Sequence, residues 1–214
     1  MEAKLQMALN TLHWLGHDAF RIDTEMGKVY IDPFQLPDNA PKARLVMITH
    51  DHFDHYSPVD LDRIVDAHTD IIAPLSTAKQ LEYGNVHAVK PYDELAIEHI
   101  NIKVLPSYNI NKDFHPKGNG WVGYLFIING VTFYHSGDSD FIPEMKDIKT
   151  DIALLPVSGT YVMTAGEAVQ AALAIKPQLA IPMHYGSIVG EVNDARQFVE
   201  QLAGKVAVEI LAKS

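Results

Sequence analysis

The stretch THDHFDH, residues 49 to 55, sets three histidines and two aspartates within His50 to His55. The chain has no cysteine, so any metal must be held by imidazole, carboxylate or backbone, side chains that suit divalent transition ions. In an extended segment His50 and His52 point the same way, and both imidazoles can reach one ion. Asp54 and His55 follow as the chain turns and could serve a second ion nearby. For a lone His-x-His a solvated polar loop is the simpler reading; the added Asp-His pair at this offset favours a two-metal centre.

Two later residues have the same character. Asp138 in YHSGDS follows an apolar strand and a glycine that lets the backbone turn sharply, so its carboxylate can project from a strand end. An Asx turn or helix cap is the competing use of Gly-Asp. His184 closes QLAIPMH, at the C-terminal end of a strand, where α/β proteins place their sites. A core histidine satisfied by backbone is its alternative.

The elements that must position these residues are legible in outline. LHWLG, AFRID and KVYIDP read as strands split by turn signals at Gly16-His17-Asp18 and Met26-Gly27. RLVMITH makes a buried strand that delivers His50 to its C-terminal end. Ser57-Pro58-Val59-Asp60 starts a helix, with Ser57 as N-cap, Pro58 at the first helical position and Asp60 in the first turn. Leu61, Ile64 and Val65 would face its core. DIIAP is a short strand, Ser76 to Tyr83 a short helix ended by Gly84, and VHAV, LAIEHI and NIKVLPS return to strand. GYLFIINGVTFYHSGDS is a hairpin turned at Asn129-Gly130.

The last third alternates strand and helix: DIALLPV, a helix from about Thr164 to Lys176, QLAIPMH, a helix from about Asp194 to Ala203, then VAVEIL. Thr164 with Glu167 makes a capping box, Pro177 follows the helix end and Gly204 fits a C-cap. Hairpins followed by strand–helix units predict an α/β fold of mixed sheets packed together and covered by helices. The 214 residues suit one domain, 1–214.

THDHFDH resembles the His-x-His-x-Asp-His signature of the metallo-β-lactamase superfamily. WLGHDAFRI, IDPF, THDHFDH, YHSGDSD, DIALLPVSG and IPMHYG, from about Trp14 to Ser187, are similar to its branch of metal-dependent hydrolases related to the ascorbate 6-phosphate lactonase group. That resemblance implies a metallo-β-lactamase-like αββα sandwich of two mixed sheets with outer helices. It also implies a metal set of His50, His52, Asp54, His55, His115, Asp138 and His184, with Asp138 bridging two ions and Asp54 and Asp138 as catalytic carboxylates. The implied relatives carry a histidine where this chain reads Asn109. Either His115 takes that place from its loop, NINKDFHPKGNGW, or Asn109 is a weaker oxygen ligand and His115 binds substrate; imidazole is the better donor, which favours His115. His17 and His135 recur in the family-like strings outside the ligand pattern, and are expected to orient ligands by hydrogen bonds or to touch substrate. His13, His68, His87 and His99 read as structural.

Two divalent ions, zinc in the first place and manganese or iron by the same donors, would lower the pKa of a shared water and make it the nucleophile. The resemblance therefore implies a hydrolase of a small ester, lactone or phosphodiester, tipped by the lactonase toward an anionic metabolite. A thioesterase of the same fold is an alternative; a di-iron redox protein and a non-catalytic metal-binding protein are alternatives of another class. Acidic residues outnumber basic ones 27 to 17, for a net charge of −10, which argues against nucleic acid as substrate. No apolar run is long enough to span a membrane, and MEAKLQMALNTLHWLG lacks a secretory pattern. A cytoplasmic protein acting on a small molecule is expected, and a symmetric homo-oligomer is compatible with it.

Overall fold

Alternate residues along the first strands go to different cores. In a computed structural model describing residues 3–214, Phe20 and Ile22 of β2 (Ala19–Thr24), Val29 and Ile31 of β3 (Gly27–Ile31), and Leu45 and Met47 of β4 (Ala43–Met47) join one apolar cluster. Their neighbours Ala19, Tyr30 and Val46 join another, with Leu61 and Ile64 of α2 (Pro58–Ile64). This is the period of two that a sheet buried on both faces requires.

These strands lie in a six-stranded sheet that runs from β1 (Leu12–Gly16) through β2, β3 and β4 to β5 (Asp70–Pro74) and β6 (Val86–Val89). β1 to β3 pair antiparallel, and β3 to β6 parallel. The seven-stranded second sheet has the same mixed plan. β7 (Glu94–Ile97), β8 (Ile100–Pro106), β9 (Val122–Ile128) and β10 (Val131–His135) are antiparallel; β11 (Ile152–Pro156), β12 (Leu179–Met183) and β13 (Ala207–Val208) continue it in parallel from β10. Val104, Tyr124, Phe126, Phe133 and Leu154 meet the inner residues of the first sheet in the larger cluster.

Helices close the sandwich. α4 (Ala165–Ile175) and α5 (Val192–Leu202) bury Ala168, Ala172, Ile175, Phe198 and Leu202 in that same cluster. α2 covers the outer face of the first sheet, capped by Ser57 as its sequence predicts, and the Thr164–Glu167 capping box of α4 is formed. The result is the α/β sandwich of two mixed sheets with outer helices. Among the described residues no helix is long and apolar enough to cross a membrane.

Several local expectations change. The helix expected over Ser76 to Tyr83 is only α3 (Leu75–Ala78), because Gln80 and Leu81 hydrogen-bond three residues back instead of four and the chain leaves the helix. Leu81 and Tyr83 still pack on the outer cluster. VAVEIL pairs over two residues alone, since Glu209 N–H reaches Ala180 and the chain then crosses to the first sheet, where Ser214 N–H bonds Trp14. α1 (Ala3–Thr11), before β1, has no counterpart in the sequence reading. The chain bends at Asp51 and turns after His52, where Tyr56 N–H and His55 N–H both return to the His52 carbonyl, and this brings the His55 ring back to within 4.0 Å of the His50 ring.

Candidate metal centre

The sequence-selected residues cluster beyond strand ends. His50 follows β4, Asp138 follows β10 and His184 follows β12, while His115 arrives from the loop between β8 and β9. Gly137, just before Asp138, has φ +58°, and a Cβ there would lie 2.9 Å from the Val122 carbonyl oxygen. Only glycine lets the chain pass this close to β9 and aim the following carboxylate inward.

Donor atoms converge in two groups. His50, His52, His115 and Asp138 form one, and His17, Asp18, His55 and His184 the other, with the ligand atoms in each within 4.8 Å of one another. We call them outer and inner, since the half-buried His52 belongs to the first and every member of the second is buried.

Each principal imidazole is fixed through Nδ1. His55 Nδ1–H donates to Asp32 Oδ2 at 2.8 Å, and Thr49 Oγ1–H donates to the same oxygen at 2.6 Å. With its proton so committed, Thr49 Oγ1 accepts from His50 Nδ1–H at 3.0 Å. His115 Nδ1–H donates to Asn109 Oδ1 at 3.1 Å, and His184 Nδ1 shares a 2.8 Å hydrogen bond with Ser158 Oγ. The opposite nitrogens, Nε2 of His50, His55, His115 and His184, are buried and, like Asp138 Oδ1, form no well-aligned hydrogen bond among the described residues. A buried polar atom left unpaired costs about 1–3 kcal/mol, and several facing one another across a small volume are what a bound cation satisfies. Imidazole Nε2 oriented from behind through Nδ1 is the usual preparation for a metal. The residues present therefore fit two divalent ions.

Asp138 lies between the groups. Its Oδ2 is 3.1 Å from His115 Nε2, 3.2 Å from His184 Nε2 and 3.9 Å from His50 Nε2, and its Oδ1 is 3.3 Å from His55 Nε2. Burial would raise its pKa, yet His184 and His55 hold it well below the usual carboxylate range. Burial likewise opposes protonation of His55, but Asp138 and Asp32 push its pKa well above the ordinary histidine value. His50 and His52 go the other way, lowered by burial and then by neighbouring histidines.

Asp54 borders the inner group instead of joining it. Its Oδ2 accepts from His17 Nε2–H at 3.0 Å and stands 3.9 Å from His55 Nε2. That hydrogen bond overcomes burial and lowers the Asp54 pKa. His17 thus has two parts, a partner of Asp54 and a member of the inner group. His135 points elsewhere: its Nε2–H donates to the Asp18 carbonyl at 3.0 Å and its Nδ1 accepts from Gly137 N–H at 3.1 Å, so it braces two loops of the site. Asn109 stands behind His115, accepting also from His115 N–H while its own amide donates to Tyr161 O at 3.0 Å. Asp18, Asp32, Thr49 and Ser158 were not singled out from sequence. Asp18 and Asp32 lie within GHDAF and IDPF, where a carboxylate beside a histidine or ending a strand was the available signal.

A cavity of about 240 Å³ opens over the outer group, lined by His52, Phe53, Asp54, Phe114, His115, Asp138, Tyr161 and Ile188. Phe53, Phe114 and Ile188 are exposed around it. No lysine or arginine lines it; the nearby Lys112 is held by Asp140 at 2.6 Å.

Comparison with known proteins agrees with this architecture. Residues 11–184 match the family model of the β-lactamase superfamily domain. A UPF0173 metal-dependent hydrolase of Methanopyrus kandleri is 31% identical over 219 residues, covering 92% of this chain and 95% of the relative. One from Pyrococcus furiosus is 29% identical over 213 residues, covering 92% and 94%. Among solved structures, a candidate metal-dependent hydrolase from Parabacteroides distasonis has a TM-score of 0.84 at 30% identity, over 93% of this chain and 91% of that one. With its donor residues gathered at the ends of two mixed sheets and most of its length matched, the chain belongs to the β-lactamase superfamily, in the metallo-β-lactamase fold and among the UPF0173 metal-dependent hydrolases.

Proposed function

We propose that the protein is a dinuclear metal-dependent hydrolase of a small, uncharged and partly apolar ester or lactone. The observation that carries this reading is the pair of imidazole groups facing each other across Asp138 at the floor of an apolar-rimmed cavity. His50, His52 and His115 would hold one ion and His55 and His184 the other, with Asp138 between them and Asp54 at the edge of the second. When bound, the two ions supply a water of lowered pKa and an electrophile for the substrate oxygen.

The protein's own residues supply the rest. Asp54 lines the cavity with one oxygen taken by His17, so its other oxygen is free to accept the proton of an attacking water and return it to the leaving alkoxide. The lowered pKa keeps Asp54 ionised and ready for that first transfer. Phe53, Phe114, Tyr161 and Ile188 exclude water from the acyl side and bind apolar surface. No lysine or arginine is in the lining, so a phosphate would have only the two ions to offset the charge of Asp54 and Asp138, with no side-chain cation to bind it, and this disfavours the anionic metabolite expected from the lactonase resemblance.

The test compares protein loaded with zinc or manganese against chelator-treated protein on 4-nitrophenyl butyrate, a γ-lactone and bis-4-nitrophenyl phosphate. The ester and lactone are hydrolysed faster than the phosphodiester, and chelation abolishes turnover. Equal rates without metal, or a preference for the phosphodiester, would refute the proposal.

A further inference from the structure

Asp18 is the buried carboxylate that no role above explains. It sits in the turn from β1 to β2, is 0% exposed, and neither of its carboxylate oxygens has a hydrogen-bond partner among the described residues. Its Oδ2 is 3.7 Å from His55 Nε2, itself unpartnered, and Asp18 is one of the four residues whose ligand atoms converge in the inner group. Nothing about the turn requires an acid. The His17 carbonyl accepts from Trp14 Nε1–H at 2.9 Å and His184 N–H at 3.1 Å, and His135 holds the Asp18 carbonyl, so the backbone is fixed without the Asp18 side chain. A carboxylate withdrawn from water with no donor is among the costliest groups to bury, and it faces imidazole nitrogens already aimed at a cation.

We infer that Asp18 is a ligand of the inner ion, and that it makes this position selective for manganese or iron over zinc. The inference rests on the dinuclear reading of the site. Without Asp18 the inner donors are His17, whose Nδ1 is buried and makes no hydrogen bond among the described residues, His55 and His184, with Asp138 beside them, a set that zinc satisfies in its four-coordinate preference. Adding Asp18 gives a further hard oxygen and a donor number above four, which suits ions that favour higher coordination and carboxylate oxygen. The outer group, with three imidazoles and Asp138, keeps the zinc-like composition.

The experiment equilibrates metal-free protein and its Asp18→Asn variant with equal zinc and manganese, and reads bound metal by elemental analysis and manganese by electron paramagnetic resonance. Wild type takes up two ions, one of them manganese. Asp18→Asn keeps the outer ion, loses manganese selectivity, and binds its second ion at least tenfold more weakly. Thermal unfolding separates this from a structural role: the variant's Tm without metal is no lower than that of wild type, and the loss appears only with manganese present. Two ions bound by the variant with wild-type affinity and selectivity would overturn the role of Asp18 alone, as would an equal fall in Tm with and without metal. Fewer than two ions in wild type would instead overturn the dinuclear reading on which it rests.

Discussion

Replacing Asp32 by asparagine removes a charge at nearly constant volume and isolates what that carboxylate does for His55. Asp32 is fully buried and accepts three hydrogen bonds: from His55 Nδ1–H at 2.8 Å, Thr49 Oγ1–H at 2.6 Å and Thr49 N–H at 2.8 Å. An amide keeps one acceptor oxygen, so at least one of these donors comes to face an NH₂ group. The buried donor left unpaired costs about 1–3 kcal/mol of folding stability. The effect on metal is separate. With His55 no longer held by a carboxylate, ring orientation and basicity both suffer, and the loss expected for such a supporting residue is about 10–100-fold in affinity, or roughly 1.4–2.7 kcal/mol. Calorimetric titration of manganese into metal-free protein reads the affinity and thermal unfolding reads the stability. Asp60→Asn is the control, since Asp60 is also buried and accepts from Gln35 N–H at 2.9 Å and Leu36 N–H at 3.0 Å but belongs to neither donor group. Both variants lose stability; only Asp32→Asn loses metal. Wild-type affinity in Asp32→Asn, or an equal loss in Asp60→Asn, refutes the assignment of Asp32 as the support of His55.

Gly137→Ala forces a Cβ to within 2.9 Å of the Val122 carbonyl at a φ of +58°; a Tm fall corresponding to about 1–3 kcal/mol is expected, together with weaker binding of both ions as Asp138 shifts, measured by unfolding and metal titration. Asn109→Ala removes one of two acceptors behind His115 Nδ1 and leaves the Tyr161 carbonyl at 3.2 Å, so the outer ion weakens about 10-fold, the low end for a supporting residue, while the inner ion, followed by manganese resonance, does not. The pH dependence of metal-free stability follows from the His55–Asp138 pair. His55 has a raised pKa in the folded protein, so its contribution is complete below the unfolded histidine value and is lost as pH rises through the folded one; Asp138 has a depressed pKa, so its contribution is present above the unfolded carboxylate value and is lost as pH falls through the folded one. Urea unfolding of chelated protein should therefore show stability falling on both the acid and the alkaline side. His50, already neutral because burial lowers its pKa, adds no such alkaline loss.

The first-sheet strands and the helix starts were legible because each has a local cause, whether alternation along a strand or a cap such as Ser57 and Thr164 that satisfies an exposed N–H. The lengths of α3 and β13 were not, since both are set by where the chain goes next: one leaves its helix toward β6, the other crosses to meet Trp14. The site divides along the same line. His50, His52 and His55 share a local spacing, and their proximity could be read from it. Asp18 and Asp32 come near His55 only because β1, β2, β3 and β4 are neighbours in one sheet, a pairing between segments that no local pattern encodes. His115 and Asn109 show the same limit. Donor chemistry ranked them, but it is the hydrogen bonds from His115 N–H and Nδ1–H to Asn109 Oδ1 that give the two residues different places.

The two donor groups differ in a way that bears on how the site would work. Around the outer one, His50 and His52 have depressed pKa values, which favours the neutral imidazole, and His52 and His115 line the cavity with His50 buried behind them. Around the inner one, Asp18, His55 and His184 are fully buried and Asp32 and Asp138 add negative charge from behind and beside His55. Charge concentrated in a dry interior is tolerable only when it is compensated, whereas imidazoles at the edge of a cavity are tolerable either way. On the proposed dinuclear reading, an ion in the inner group would therefore offset more buried charge, and raise Tm more, than an ion in the outer group. Asp138 touches both groups through one oxygen, its Oδ2 lying 3.1 Å from His115 Nε2 and 3.2 Å from His184 Nε2, so a shift of this carboxylate would be felt on both sides.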